Sequence, residues 1–171
     1  HRLTAGNPFF VTEVLQAGDD GLPASIRDAV LARTRTLTTP ARDALELAAL
    51  IGARMQAALL VSLLNDPLVV DELISHGLLI KDVDDLRFRH EIARVVIEDA
   101  IPPYQKAAIH MKIMQALLTS GSDDDARLAF HAEGSDDAAL VLGAGAQRIY
   151  KRERRLALGQ VVAEVLAELP A

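Results

Sequence analysis

Apolar residues recur every three to four positions along most of this chain, a period typical of amphipathic helices. After an opening turn and helix that begin at Pro8, the pattern predicts four helices before residue 77. The restart signal Thr38-Thr39-Pro40 supplies an N-cap followed by a first-turn proline, and Gly77 is a carboxyl-terminal cap. These helices cover residues 25–37, 40–51, 53–64 and 68–76.

The period changes immediately after Gly77. Residues 78–81 and 86–89 flank the acidic turn 82–85, and the second segment alternates apolar and basic side chains as a half-buried strand does. The sequence therefore predicts a β-hairpin at this point. Three helices followed by a two-stranded wing is the order of a winged-helix domain.

The carboxyl-terminal part returns to the helical period and contains two similar turn and N-cap segments that begin at Gly121 and Gly134. Short helices in this order are typical of the start of a helical-repeat array. The fold class we predict is mainly α, with one β-hairpin and repeat-like antiparallel helices. The last helices cover residues 91–101, 104–118, 126–133, 138–150 and 153–169.

Composition narrows the class of protein. Half of the 171 residues are hydrophobic but only 4% are aromatic, so aliphatic side chains must form the core. The net charge of -6 argues against broad attraction to nucleic acid or anionic membranes, and no cysteine is present. The most apolar stretch, residues 47–64, carries Arg54 and Gln56, and no signal peptide is predicted. We expect a cytoplasmic protein with no membrane partner.

Several catalytic motifs are absent from the sequence. No Gly-x-x-x-x-Gly-Lys-Ser/Thr phosphate loop occurs, and Arg94 stands where a zincin helix beginning at His90 needs its second histidine. The aspartate runs lack the central glycine and distal glutamate of an EF-hand. We therefore predict no metal site and no enzymatic activity from this chain alone.

Two short motifs flank the predicted winged helix. The first is Gly6-Asn7-Pro8-Phe9-Phe10, and the second is Phe88-Arg89-His90-Glu91 at the return from the wing to a helix. In this order and combination the chain resembles LuxR-type transcriptional regulators that carry an amino-terminal ATPase of the signal-transducing class. The resemblance is closest over residues 1–118.

The resemblance implies a domain plan. Residues 1–38 would be a helical lid behind the ATPase core, residues 39–101 the winged-helix domain, and residues 102–171 the TPR-like start of a repeat array. ATP or ADP would be bound by an upstream ATPase domain of the same chain, with no tight binding by this segment alone. An inducer or protein partner would bind the helical repeats, and DNA would be bound only through a separate output domain.

The same resemblance implies the site residues. Gly6, Asn7 and Pro8 would contact the adenine side of the nucleotide, His90 would reach its phosphates, and Arg89 would support His90. This segment would then couple the nucleotide state to the output domain.

Two alternatives stay open. The same module could regulate a different output, such as a nucleotide cyclase or kinase. The chain could also be a stand-alone winged-helix DNA-binding protein, although the candidate reading helix offers Asp71 and Glu72 and no Lys or Arg.

Overall fold

The computed structural model describes Pro8 and residues 23–135. Within these residues the protein is mainly α-helical with one small antiparallel sheet, as the sequence predicts. The helices predicted over residues 138–150 and 153–169 lie outside the described residues. The helices are α1 (Ala24–Thr34), α2 (Thr39–Ile51), α3 (Ala57–Ser62), α4 (Val69–Ser75), α5 (Glu91–Ala100), α6 (Pro103–Thr119) and α7 (Asp125–Gly134), and the strands are β1 (Arg54–Gln56), β2 (Leu79–Asp82) and β3 (Asp85–Phe88).

Capping residues explain the start of α2 and the end of α4. Thr38, rather than Thr39, is the N-cap of α2: its hydroxyl accepts a hydrogen bond from the Ala41 N–H, and Pro40 lies inside the first turn. At the end of α4, Gly77 has a φ of 66°. The Gly77 N–H donates to Ile74 O at 2.9 Å and the Leu78 N–H to Leu73 O at 3.0 Å. This pair of bonds is a Schellman motif, so the predicted glycine cap is confirmed.

The prediction of a helix over residues 53–64 is wrong at its start. Residues 54–56 form β1, which pairs with β3 in the register Met55 opposite Leu86. Gly52, with a φ of 131°, ends α2, and the Phe88 N–H donates to Ala53 O at 3.1 Å. Arg, Met and Gln are all good helix formers, but pairing with a strand thirty residues away overrides that local preference.

The sheet has the strand order β1-β3-β2, and both pairings are antiparallel. The Arg54 side chain on β1 contacts the hairpin: its Nε atom donates a hydrogen bond to the Asp85 carboxylate on β3 at 2.7 Å. The sequence of elements from α2 to β3 is helix, strand, helix, helix and hairpin. The β2–β3 hairpin lies where the sequence predicts the wing of a winged-helix domain, and it is called the wing below.

The core is aliphatic and centred on α2, which packs against α4, α5 and α6. Helix α1 packs against α5 through Ile26 and Val30, and an ion pair joins Arg27 to Asp99 at 3.6 Å. Helix α7 packs on α6. In the described part of the chain, no helix is long and apolar enough to cross a membrane.

Candidate functional site

A cleft of about 120 Å³ lies where α1, the α4–β2 turn and the start of α5 meet. Its apolar wall is formed by short side chains on three of these elements. Three basic side chains, from α1 and from the segment that joins the wing to α5, complete the lining. The lining residues are Ala29, Val30, Arg33, Gly77, Leu78, Arg89, His90 and Ala93.

Gly77 is the point where two arginines converge. A Cβ atom at this position would lie 3.5 Å from Arg89 Nε and 3.7 Å from Arg33 Nη2. The two guanidinium groups come from different elements, since Arg33 is in the last turn of α1 and Arg89 follows β3. The left-handed conformation of Gly77 turns the chain sharply from α4 into the wing and leaves room for both side chains.

Hydrogen bonding of the wing fixes the position of Arg89. The Arg89 N–H donates to Leu78 O at 2.9 Å, which continues the β2–β3 pairing by one residue beyond the strands. His90 follows as the N-cap of α5, with an extended backbone, and its carbonyl accepts from the Ala93 N–H at 3.0 Å. His90 is half-buried and Arg89 is exposed. The predicted pair therefore lies together at one cleft.

The charge of the cleft is positive. None of the eight residues that line it carries a carboxylate. The nearest acidic residue in sequence, Glu91, is held by Arg94, whose Nε lies 2.6 Å from its carboxylate. Arg94 also pairs with Glu98 and donates to Ala49 O at 3.2 Å. Glu91 therefore has a cationic partner on its own helix, which it shares with Glu98.

This donor set fits a small oxyanion. Guanidinium groups match phosphate and carboxylate oxygens in forked geometry, and an imidazole adds one further donor. The start of α5 also lies at the cleft, and first-turn N–H groups favour negative charge. A volume of about 120 Å³ is smaller than the roughly 300–1,000 Å³ typical of pockets for drug-sized ligands. The cleft therefore suits one anionic group rather than a whole nucleotide.

No protein-family model, curated protein or solved structure matches this chain. The chemistry of the cleft is therefore inferred from its own residues.

The other three predicted site residues, Gly6, Asn7 and Pro8, are not among the described residues that line the cleft. Gly6 and Asn7 are outside the described residues, and Pro8 is helical and exposed. The structure thus brings together Arg89 and His90 of the five predicted residues. Among the described residues, no group of three or more His, Cys, Asp and Glu side chains could hold a metal ion.

Arg33 and Gly77 are members of the cleft that the sequence did not reveal as site residues. The sequence predicts Gly77 only as a helix cap. Arg33 belongs to no motif, and it reaches the wing only because the apolar face of α1 packs on α5. A distance of 44 residues along the chain from Arg33 to Gly77 leaves no local signal for the contact.

Helix α4, the candidate DNA-reading helix, carries two acidic residues, and one of them makes structural hydrogen bonds. The Glu72 carboxylate accepts hydrogen bonds from the Thr38 N–H and hydroxyl, each at 2.8 Å. These two bonds lower the pKa of Glu72 and keep it ionised. Asp71 remains exposed on the same short helix, which places negative charge where a reading helix meets DNA phosphates.

Proposed function

We propose that this chain is an interdomain switch segment of an ATP-dependent, LuxR-family-like transcriptional regulator. Its cleft receives a phosphate of ATP or ADP bound by an upstream ATPase domain. The observation that carries the proposal is the convergence of Arg33 and Arg89 at Gly77, in a cleft that His90 also lines and whose lining has no carboxylate.

Arg33 and Arg89 hold the phosphate as guanidinium donors, and His90 donates a further hydrogen bond. From the two distances to Gly77, Arg33 Nη2 and Arg89 Nε lie within about 7 Å of each other. Two like charges at that separation repel by roughly 0.6 kcal/mol in bulk water. A phosphate between them replaces this repulsion with attraction.

The basic residues of the cleft come from different structural elements, which makes the cleft suitable for a switch. Arg33 belongs to α1, in the segment proposed as the lid, whereas Arg89 and His90 belong to the wing and its junction. A hydrogen bond to a charged group contributes about 1.5–3 kcal/mol, and two or three of them shift a domain equilibrium by several orders of magnitude. The phosphate state of the nucleotide would thereby set how the lid, the winged helix and the upstream domain pack together.

The proposal also assigns the DNA and protein partners to different parts of the protein. The winged helix acts as a switch rather than a DNA reader, because α4 presents acidic side chains. DNA binding belongs to a separate output domain, and the helical region from residue 102 offers the surface for an inducer or protein partner. The proposed compartment is the cytoplasm.

A titration of the 171-residue chain with inorganic phosphate tests the cleft by itself. We expect millimolar, saturable shifts of the backbone amide signals of Gly77, His90 and Glu91 in two-dimensional NMR spectra. The double variant Arg33→Ala/Arg89→Ala abolishes the shifts.

The matched control is Arg35→Ala/Arg87→Ala. It removes two exposed arginines from the end of α1 and from β3, so the net charge changes equally, but neither residue lines the cleft. This control keeps the wild-type response. Equal responses in the two double variants, or no saturable shift in the wild type, would overturn the assignment of the cleft as an anion site.

A further inference from the structure

Two histidines face each other between α6 and α7, away from the cleft. His110 Nδ1 lies 2.9 Å from His131 Nδ1, and the side chains are 6% and 0% exposed. Phe130 covers the pair, with its ring centroid 5.4 Å from that of His110 and 5.2 Å from that of His131. The rings therefore form a small, buried polar contact between the two helices.

The helices are built to approach closely at this point. A Cβ atom on Gly134 would lie 2.6 Å from Cγ of His110, which is closer than real Cβ contacts. Only glycine at the last turn of α7 lets the His110 ring lie against that helix. The position of the ring is therefore fixed by the backbone of α7 as well as by His131.

One proton between the two Nδ1 atoms satisfies the contact, because one nitrogen donates and the other accepts. When both imidazoles are protonated, each Nδ1 carries a proton, so two donors face each other and two positive charges are buried. Burial lowers the pKa of both imidazoles. With His110 and Arg127 nearby, the pKa of His131 falls to about 4.

The charged groups around the pair come from three helices. Glu98 on α5 favours the protonated form of His110, whereas Lys106 on α6 disfavours it. Arg127 on α7 disfavours protonation of His131. Glu98 is itself paired with Arg94, so its attraction is shared. The surroundings as a whole favour the neutral pair.

We propose that the His110–His131 pair is an acid-sensitive latch, which holds α7 on α6 while both imidazoles are neutral and releases α7 as the medium acidifies. Helix α7 suits this role because its buried contacts are few: Leu128, His131 and Ala132 are its buried residues. Local opening of a weakly anchored helix needs much less free energy than global unfolding.

Proton linkage determines whether the open population of α7 rises or falls as the pH falls. An imidazole released into water has a pKa of about 6.5, so below that pH the open state binds a proton that the closed state resists. The open population therefore rises as the pH falls from about 6.5 towards 4. Each imidazole contributes up to about tenfold per pH unit, so one fully released histidine gives about tenfold between pH 7.5 and 5.5.

Hydrogen exchange of the full chain at pH 7.5 and 5.5 tests the latch, after correction for the intrinsic exchange rate at each pH. Aspartate and glutamate side chains with ordinary pKa values stay largely ionised over this range, so the histidines dominate the change in α7. Burial raises the pKa of Glu46, which lies on α2. We expect the opening constant of the α7 amides, Leu128 to Ala132, to rise at least tenfold at pH 5.5. Amides in α2 should change by less than twofold.

The variant His131→Asn removes the titration but keeps a side-chain amide at the position of Nδ1, and it should lower the pH response of α7 at least threefold. The matched control is His76→Asn, which removes a histidine at the end of α4, far along the chain from α6 and α7. It should leave the response unchanged. A wild-type α7 opening constant that is the same at both pH values, or an undiminished response in His131→Asn, would refute the latch.

Discussion

The close approach of Gly134 to His110 makes Gly134→Ala an informative perturbation. In most helices this change stabilises, because alanine is favoured over glycine by about 0.8–1.0 kcal/mol in a helix interior. Here the new methyl group would lie 2.6–2.7 Å from three atoms of the His110 ring. The ring cannot turn aside freely, since its Nδ1 is bonded to His131.

Opposing contributions decide whether Gly134→Ala raises or lowers the free energy of unfolding. Overpacking in a filled interface costs about 1–3 kcal/mol, and displacing the ring also weakens a buried hydrogen bond worth about 1 kcal/mol. The propensity gain at the last residue of α7 is at most about 1 kcal/mol. We therefore expect Gly134→Ala to lower the free energy of unfolding by about 1–2 kcal/mol.

A double-mutant cycle with His110→Ala isolates the clash, with stability measured by urea unfolding. In the His110→Ala background the ring is gone, so Gly134→Ala should now stabilise by about 0.5–1 kcal/mol. Ala129→Gly, at an exposed position of the same helix, is the control for propensity and should cost about 1 kcal/mol. If Gly134→Ala stabilises the wild-type background as well, the proposed packing of His110 on α7 is wrong.

Three further changes test other parts of the structure. Val83→Asn should stabilise by about 1 kcal/mol in thermal unfolding, since this 80% exposed β-branched residue has a φ of 54°, which asparagine adopts more readily; a loss of stability would contradict it. Thr38→Ala should cost about 1 kcal/mol in urea unfolding through the lost hydroxyl bonds to Ala41 and Glu72, whereas Thr39→Ala should change little; equal costs would refute the role of the Thr38 hydroxyl. Because the pKa of His131 is lowered to about 4, global stability should fall by up to about 3 kcal/mol between pH 6.5 and 4, with the loss reduced in His131→Asn; equal slopes in both proteins would exclude His131 as the cause.

Local signals in the sequence located most of the described fold. The Schellman glycine at Gly77 and the threonine cap before α2 depend on a few neighbouring residues, so their prediction needed no tertiary information. The hairpin was visible because its second arm alternates apolar and basic residues. In contrast, β1 has only three residues, and its single buried member, Met55, gives no readable period.

The candidate site also combines residues that local sequence signals locate with a residue that only tertiary packing brings there. Arg89 and His90 lie at a junction that the change of period marks, so a sequence motif could place them. Arg33 joins them only through packing of α1 on α5, which depends on the apolar faces of two helices separated by residues 35–90. Such a contact is determined by the complete fold rather than by any segment, and local periodicity contains no information about it.

The most direct test of the central claim is the affinity for ADP of this chain together with the proposed upstream ATPase domain, measured by calorimetry. We expect His90→Ala and Arg33→Ala each to weaken binding about tenfold or more, which is roughly 1.4 kcal/mol, whereas Arg35→Ala should not. Equal affinities in all four proteins, or no ADP binding by the extended wild-type chain, would contradict the proposal that this cleft senses the nucleotide.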